Sequence, residues 1–131
     1  MDQTRALVVT HGNLGAELVR VTELILGPAG GLEAMSNQGL ANLDLTKRIQ
    51  AWLAGAAGRP AVILVDDYAG SCATAARLAC EERAGVAIIA GVNLAMLLSF
   101  LTWRDDADLA ELTQRIITKG REAISRVGPA R

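Results

Sequence analysis

His11 is the only histidine in the chain, and it directly follows a short apolar run. Near neutral pH much of an imidazole is unprotonated, so one ring nitrogen can attack an electrophile while the other is held by a hydrogen bond. A carboxylate commonly holds that second nitrogen, because it fixes the tautomer and stabilises positive charge on the ring. A lone histidine is also often an ordinary loop residue, and its position alone leaves both interpretations open.

Two acidic residues are candidates for the group that holds the imidazole. Asp66 and Asp67 follow residues 61–65, which form the most strongly apolar, β-branched run of the chain. Because successive residues of a strand point to opposite sides, we expect only one of the two carboxylates to face His11.

A possible anion site follows the same run. Gly70-Ser71 is predicted to open a helix, where free backbone N–H groups and the helix dipole favour anions. Ser71 could cap this helix and also donate its hydroxyl to a phosphate, and plain capping is the commoner role. Gly12 and Gly15 allow close backbone approach after the first strand. The sequence has no glycine motif of the dinucleotide-binding or P-loop type, which disfavours such sites.

These residues need a scaffold that brings the ends of different strands together. Apolar runs predict strands over residues 6–10, 32–36, 61–65 and 86–90, and helical spacing of apolar residues predicts helices between them. We expect Asp44 and Asn93 to cap two of the helices and the last helix to cover residues 107–127. The third helix is predicted to start near Ser71 and to run through Ala75, Leu78 and Ala79. The apolar faces predicted for the first, second and last helices are Leu14, Leu18, Val21, Leu24 and Ile25; Leu45, Ile49, Trp52 and Leu53; and Leu109, Leu112, Ile116, Ile124 and Val127.

The alternation of strands and helices predicts an α/β fold. We expect an open, mainly parallel four-stranded sheet in the order 2-1-3-4, with helices on both faces, as a single domain over residues 1–131. In such sheets ligands bind at the carboxyl ends of the strands, where the strand order reverses. His11 and residues 66–71 both fall at that edge.

Composition excludes several classes of function. The net charge is −1 and no lysine or arginine cluster stands out, so nucleic acid and anionic membranes are unexpected partners. The uncharged stretch between Arg83 and Arg104 is long enough to span a membrane, but residues 91–93 interrupt it, which favours a buried strand and a helix. The opening apolar run is too short for a signal peptide.

The two cysteines are expected to be reduced. On one helix Cys72 and Cys80 would lie ~12 Å apart along the axis, too far for a disulfide. Free thiols are typical of a cytoplasmic protein. Because the cysteines and the lone histidine form no recognisable ligand cluster in the sequence, we expect no metal and no bound cofactor.

Five short segments, in order along nearly the whole chain, resemble the mannose-family enzyme IIA proteins of the phosphoenolpyruvate-dependent sugar phosphotransferase system. The matching segments are residues 8–15, with Thr10-His11-Gly12 after an apolar strand; residues 23–27; residues 64–72, where the family usually has a strand, Asp, two residues and Gly-Gly-Ser-Pro; residues 90–97, with Gly91-Val92-Asn93; and residues 120–122.

The resemblance implies a phosphoryl carrier. His11 would accept phosphate from the phosphohistidine of the carrier HPr and pass it to a IIB component for sugar uptake. Asp66 would hold the other imidazole nitrogen, making His11 and Asp66 the catalytic pair. Ser71 and backbone N–H groups at Gly12, Gly70 and Cys72 would bind the phosphate. The resemblance also implies a homodimer in which a short C-terminal strand is often exchanged, although here such a strand would be very short or absent after Val127.

Two residues depart from the family loop. Ala69 replaces a glycine, which would strain a position needing positive φ, and Cys72 replaces a proline in the first turn of the helix. A buried, inert Cys72 is favoured over an activated thiol.

Three alternatives stay open. They are a regulatory phosphoacceptor in a system without a sugar permease, the phosphotransfer subunit of dihydroxyacetone kinase, and a non-catalytic anion-binding module at Ser71. The Gly-Val-Asn segment favours the mannose family over the kinase subunit.

Overall fold

The computed structural model describes residues 3–55, 58–81 and 83–130, in which strands and helices alternate along the chain. The four strands are β1 (Arg5–Thr10), β2 (Leu32–Ser36), β3 (Ala61–Val65) and β4 (Val86–Ala90). The five helices are α1 (Leu14–Leu26), α2 (Asn42–Ala54), α3 (Ser71–Cys80), α4 (Leu94–Trp103) and α5 (Leu109–Glu122).

The four strands form a parallel sheet in the order β2-β1-β3-β4, which confirms the predicted fold class and strand order. β1 pairs with β2 on one side and with β3 on the other, so the strand order reverses between β1 and β3. Val9 pairs with Val65, where β3 ends, and β1 ends one residue later at Thr10. The segments that follow β1 and β3 therefore start side by side at one edge of the sheet.

Both faces of the sheet are covered by helices, because β1 and β3 are buried on both sides. On one face Leu7, Val9 and Ile63 pack with residues of α2 and α3. On the other face Val8 and Leu64 pack with residues of α1, α4 and α5.

The apolar face predicted for α1 is largely wrong, although Leu18, one of its five residues, packs against the core. The buried residues of this helix are Gly15, Val19 and Thr22. An added Cβ on Gly15 would lie 3.1 Å from Thr10 Oγ1 and 3.2 Å from the Val8 carbonyl oxygen, so α1 lies very close to β1 at that residue. The larger side chains predicted to face the core point instead toward solvent: Leu14, Leu24 and Ile25 are 48%, 69% and 54% exposed.

Several predicted helix ends and faces also differ from the structure. α5 ends at Glu122, which leaves Ile124 and Val127 exposed beyond it rather than on its apolar face. α2 begins at Asn42, so Asp44 lies in its first turn instead of capping it, still close to the positive end of the helix dipole. α3 begins at Ser71, as predicted, and its buried residues are its alanines and Cys72.

The cap predicted at Asn93 is confirmed, because its side-chain oxygen accepts a hydrogen bond from the Met96 backbone N–H at 3.1 Å. This cap begins α4 soon after β4, so the uncharged stretch between Arg83 and Arg104 is divided between a strand and a helix. Within residues 3–55, 58–81 and 83–130, none of the helices has the length and apolar character needed to cross a membrane.

Candidate functional site

The turn after β1 places His11 at the surface. Thr10 is fully buried, and its side-chain oxygen accepts a hydrogen bond from the Gly15 backbone N–H at 2.7 Å. Gly12 has a φ of +55°, a left-handed conformation that glycine adopts without a Cβ clash. The chain thus turns directly from β1 into α1, and the side chain of His11 is left 53% exposed.

Asp66 faces His11 from the end of β3. One carboxylate oxygen, Oδ2, lies 2.9 Å from the His11 backbone nitrogen and 2.9 Å from ring atom Nδ1. The Asp66 side chain is only 13% exposed, whereas the neighbouring Asp67 is exposed to solvent. The expectation that just one of the two acids faces the imidazole therefore matches the geometry.

The surroundings of Asp66 keep its carboxyl group ionised. Burial pushes the pKa upward, but hydrogen bonds from the backbone and ring of His11 outweigh that effect and hold the pKa of Asp66 below its ordinary value. An ionised carboxylate can only accept hydrogen bonds, so Nδ1 of His11 must carry the proton that it shares with Asp66. In the neutral ring, this tautomer leaves a lone pair on Nε2, the nitrogen on the other side of the imidazole.

Ser71 approaches the free nitrogen of the ring. Its hydroxyl oxygen lies 3.5 Å from His11 Nε2, a long contact that still places the hydroxyl next to the nucleophilic atom. Asn37, which follows β2 at the same edge of the sheet, donates a hydrogen bond from its side-chain nitrogen to the Ser71 oxygen at 3.3 Å. Asn37 was not among the residues predicted for the site, although its position directly after a parallel strand was a usable signal.

The start of α3 lies against the ring. Gly70 is the N-cap residue and no side chain caps the helix, so the capping role expected for Ser71 is wrong. An added Cβ on Gly70 would lie 3.3 Å from His11 Cε1, which explains why glycine is needed for this close approach. The first backbone N–H groups of a helix have no partner within it and can bind an anion. The predicted phosphate-binding residues Gly70, Ser71 and Cys72 thus lie at this helix start, and Gly12 directly follows His11.

Cys72 is buried beneath the imidazole. Its sulfur lies 4.0 Å from His11 Nδ1, and its side chain has no exposed surface. Burial, helped by the negative charge of Asp66, raises the pKa of the Cys72 thiol to about 11, so the thiol stays protonated at neutral pH. Cys80, the other cysteine, is also a free thiol. The expectation that the cysteines and His11 make no ligand cluster is wrong, because His11, Asp66 and Cys72 bring potential ligand atoms within 4.8 Å of one another.

The chain is similar over most of its length to phosphotransferase system proteins. A family model described as "PTS system fructose IIA component" matches residues 5–117. The PTS system mannose-specific EIIAB component of Escherichia coli strain K12 is 31% identical over 137 residues, covering 92% of this chain and 39% of that protein. The chain therefore spans about two fifths of the length of this curated relative.

Solved structures share the fold. The phosphotransferase system component EIIA from Streptococcus agalactiae superposes with a TM-score of 0.87 at 20% identity, covering 94% of this chain and 96% of that one. The mannose/sorbose-specific IIA subunit from Enterococcus faecalis has a TM-score of 0.84 at 20% identity, covering 100% of this chain and 98% of that one. At these identities the structures show the fold alone.

Proposed function

The chain belongs to the mannose-type enzyme IIA family of the sugar phosphotransferase system, and on that premise we propose that it accepts a phosphoryl group on His11 from the phosphohistidine of HPr. It then passes the group to a IIB component for sugar uptake. Family membership makes the chain a phosphotransfer component of such a system. The identity of the acceptor residue and of the two partners is our proposal.

The choice of His11 as the phosphate acceptor rests on one observation. Asp66 holds Nδ1 at 2.9 Å, while the His11 side chain is 53% exposed and its Nε2 lies beside Ser71 at the start of α3. The group that must react is thereby oriented and accessible to a protein partner. Positioning and electrostatic stabilisation supply most of the catalysis in phosphoryl transfer, and this site offers both.

The transfer step follows from this arrangement. The lone pair on Nε2 attacks the phosphorus of the HPr phosphohistidine, and the phosphorus–nitrogen bond to HPr breaks with its electron pair returning to the HPr ring. The proton on Nδ1 stays in place, and the charge on Asp66 stabilises the positive charge that develops on the imidazole. The hydroxyl of Ser71 and the N–H groups at the start of α3 bind the phosphoryl oxygens. Transfer to a IIB component repeats the displacement with His11 as the leaving group.

The same proposal specifies the location, the oligomeric state and the partners of the chain. We place it in the cytoplasm as a single domain over residues 1–131 that forms a homodimer. Its partners are HPr and a IIB component. We expect it neither to bind nucleic acid nor to insert directly into a membrane. The two displacements need no metal or cofactor, because the attacking nitrogen, the carboxylate and the anion-binding groups all come from the chain itself.

A two-stage transfer assay tests the proposal. The chain is incubated with phosphoenolpyruvate, enzyme I and HPr, and the phosphorylated product is then purified and mixed with a IIB component of the mannose family. We expect phosphate to enter only when HPr is present and to leave when the IIB component is added. Failure of the first stage contradicts phosphoryl acceptance. Normal acceptance without discharge to any IIB component of the family contradicts the role in sugar uptake and favours a regulatory phosphoacceptor.

A further inference from the structure

Three side chains that can each bind a metal ion, those of His11, Asp66 and Cys72, lie close together. Nδ1 of His11 lies 2.9 Å from Asp66 Oδ2 and 4.0 Å from the sulfur of Cys72, and one ligand atom from each residue lies within 4.8 Å of the other two. Each residue comes from a different segment, after β1, after β3 and in the first turn of α3, so the fold itself brings them together.

A second observation concerns the other oxygen of the Asp66 carboxylate. The other carboxylate oxygen of Asp66, Oδ1, is buried and has no hydrogen-bond partner within the described parts of the chain. A buried carboxylate oxygen is costly to leave without a partner, and a cation is one way to satisfy it. Cys72 provides a thiol on the inner side of the ring, while the 53% exposure of His11 provides access from solvent.

The distances suit a zinc-like ion. Bond lengths of about 2.0–2.3 Å to nitrogen, oxygen and sulfur in tetrahedral geometry place neighbouring ligand atoms about 3.3–3.7 Å apart. The observed distances of 2.9 Å from Nδ1 to Oδ2 and 4.0 Å from Nδ1 to the sulfur lie within roughly half an ångström of that range. The oxygen–sulfur separation is within 4.8 Å, so these two atoms would move closer by up to about 1 Å on binding. One sulfur, one imidazole nitrogen and one carboxylate oxygen favour a borderline-soft ion such as Zn²⁺ over hard ions such as Mg²⁺.

We propose that His11, Asp66 and Cys72 bind one Zn²⁺ ion, with water as a fourth ligand, and that this binding competes with phosphorylation of His11. The ion displaces the proton of the Cys72 thiol, which leaves to solvent, and forms a sulfur–zinc bond. The proton on Nδ1 of His11 moves to Nε2 as Nδ1 becomes a ligand. One proton is therefore released for each ion bound.

The bound ion removes both features on which phosphoryl acceptance depends. With metal on Nδ1 and a proton on Nε2, the neutral ring has no lone pair left for attack on phosphorus. Asp66 becomes a ligand and no longer orients the imidazole. This part of the inference rests on the proposed function, whereas metal binding itself does not.

Binding is tested on the untagged chain of residues 1–131 without any phosphotransfer partner. Competition between the chain and a chromophoric chelator measures zinc affinity in the wild type, in Cys72→Ala and in the matched control Cys80→Ala. We expect one ion per chain in the wild type, at least about tenfold weaker binding in Cys72→Ala, and wild-type affinity in Cys80→Ala. No stoichiometric binding, or full affinity in Cys72→Ala, overturns the site.

Cobalt provides a readout that needs no variant. Co²⁺ substituted for Zn²⁺ in the wild-type chain should give the near-ultraviolet charge-transfer band of a thiolate ligand and the visible spectrum of a tetrahedral ion. Absence of the thiolate band overturns the assignment of Cys72, even if the Cys72→Ala variant fails to fold. Mg²⁺ at the same concentration should not displace the cobalt.

Competition is tested by the rate of phosphorylation from phosphorylated HPr, with each variant compared with its own metal-free rate. Zinc should slow the phosphorylation of the wild type and of Cys80→Ala, and a chelator should restore both rates. Phosphorylation of Cys72→Ala should need at least about tenfold more zinc for the same inhibition. Binding without inhibition overturns the competition. If the metal-free chain is not phosphorylated at all, the proposed function fails, while the titrations still decide the metal site.

Discussion

Asp66 holds His11 at two points with a single oxygen. Oδ2 accepts the backbone N–H of His11 at 2.9 Å and lies 2.9 Å from Nδ1 of the same residue. The first contact fixes the backbone where β1 ends, and the second fixes the plane and tautomer of the ring. Because Val9 and Val65 are paired in the sheet, the geometry of this contact follows from the register of β1 against β3.

Asp66→Asn should slow the phosphorylation of the chain by at least about tenfold while preserving the fold. The amide is neutral and can donate to the ring, so it can stabilise the wrong tautomer and cannot balance the charge on an imidazolium. The measurement is the initial rate of labelling from phosphorylated HPr. Asp106→Asn is the matched control, since Asp106 is exposed between α4 and α5, and it should keep a rate close to wild type. Equal rates in the two variants would contradict the role of Asp66.

Ser71→Ala should reduce the same rate less than Asp66→Asn does. The hydroxyl lies 3.5 Å from Nε2, but the backbone N–H groups at the start of α3 remain available to the phosphoryl oxygens. Thr102→Ala is a suitable control, because it removes an exposed hydroxyl near the end of α4. A loss larger than that of Asp66→Asn would show that Ser71, rather than the carboxylate, dominates the site.

The Asp66 carboxylate should also make the stability of the chain sensitive to acid. Because the pKa of Asp66 is lower in the folded chain than its ordinary value, its contribution is complete above that value and is lost as the pH falls through the folded pKa. At pH 7 we expect Asp66→Asn to lower the free energy of unfolding by about 1.5–3 kcal/mol, the typical contribution of a hydrogen bond to a charged group. Denaturant titrations should show this difference shrinking from about pH 5 downward. A difference that stays constant down to pH 3 would contradict the assigned environment.

The exposed apolar residues of α1 agree with the proposed homodimer. Leu14, Leu24, Ile25 and Leu26 are each about half or more exposed, an unusual amount of apolar surface for one helix of a small monomer. Light scattering at micromolar concentration should give twice the 13.7 kDa mass of the chain. The mass of a single chain throughout a dilution series would show that this surface is not covered by a second copy.

Strands β1, β3 and β4 could be predicted from the sequence because parallel strands inside a sheet are continuous apolar runs, whereas the edge strand β2 is partly exposed and gives a weaker signal. β2, β3 and β4 have the predicted bounds, and β1 starts one residue earlier. The buried face of α1 could not be predicted in the same way. Its larger apolar residues and its small residues form separate stripes, and only contact with β1 selects the stripe that contains Gly15.

The arrangement of the site could be predicted only in part from the sequence. Strand order places the residue after β1 beside the residue after β3, so the closeness of His11 and Asp66 follows from topology. The contact of Cys72 with the ring could not be predicted, because it depends on how the first turn of α3 rotates its side chains. The hydrogen bond from Asn37 to Ser71 likewise joins two loops whose course the sequence does not specify.

The most direct test of the account is to locate the phosphate on the chain. After incubation with phosphoenolpyruvate, enzyme I and HPr, the labelled chain is digested at alkaline pH, where phosphohistidine survives, and the phosphopeptide is sequenced by mass spectrometry. We expect one acid-labile phosphate on His11 and no label in His11→Ala, whose fold is checked by circular dichroism. Label on Ser71, on Cys72 or on any residue of a folded His11→Ala chain would contradict the central claim.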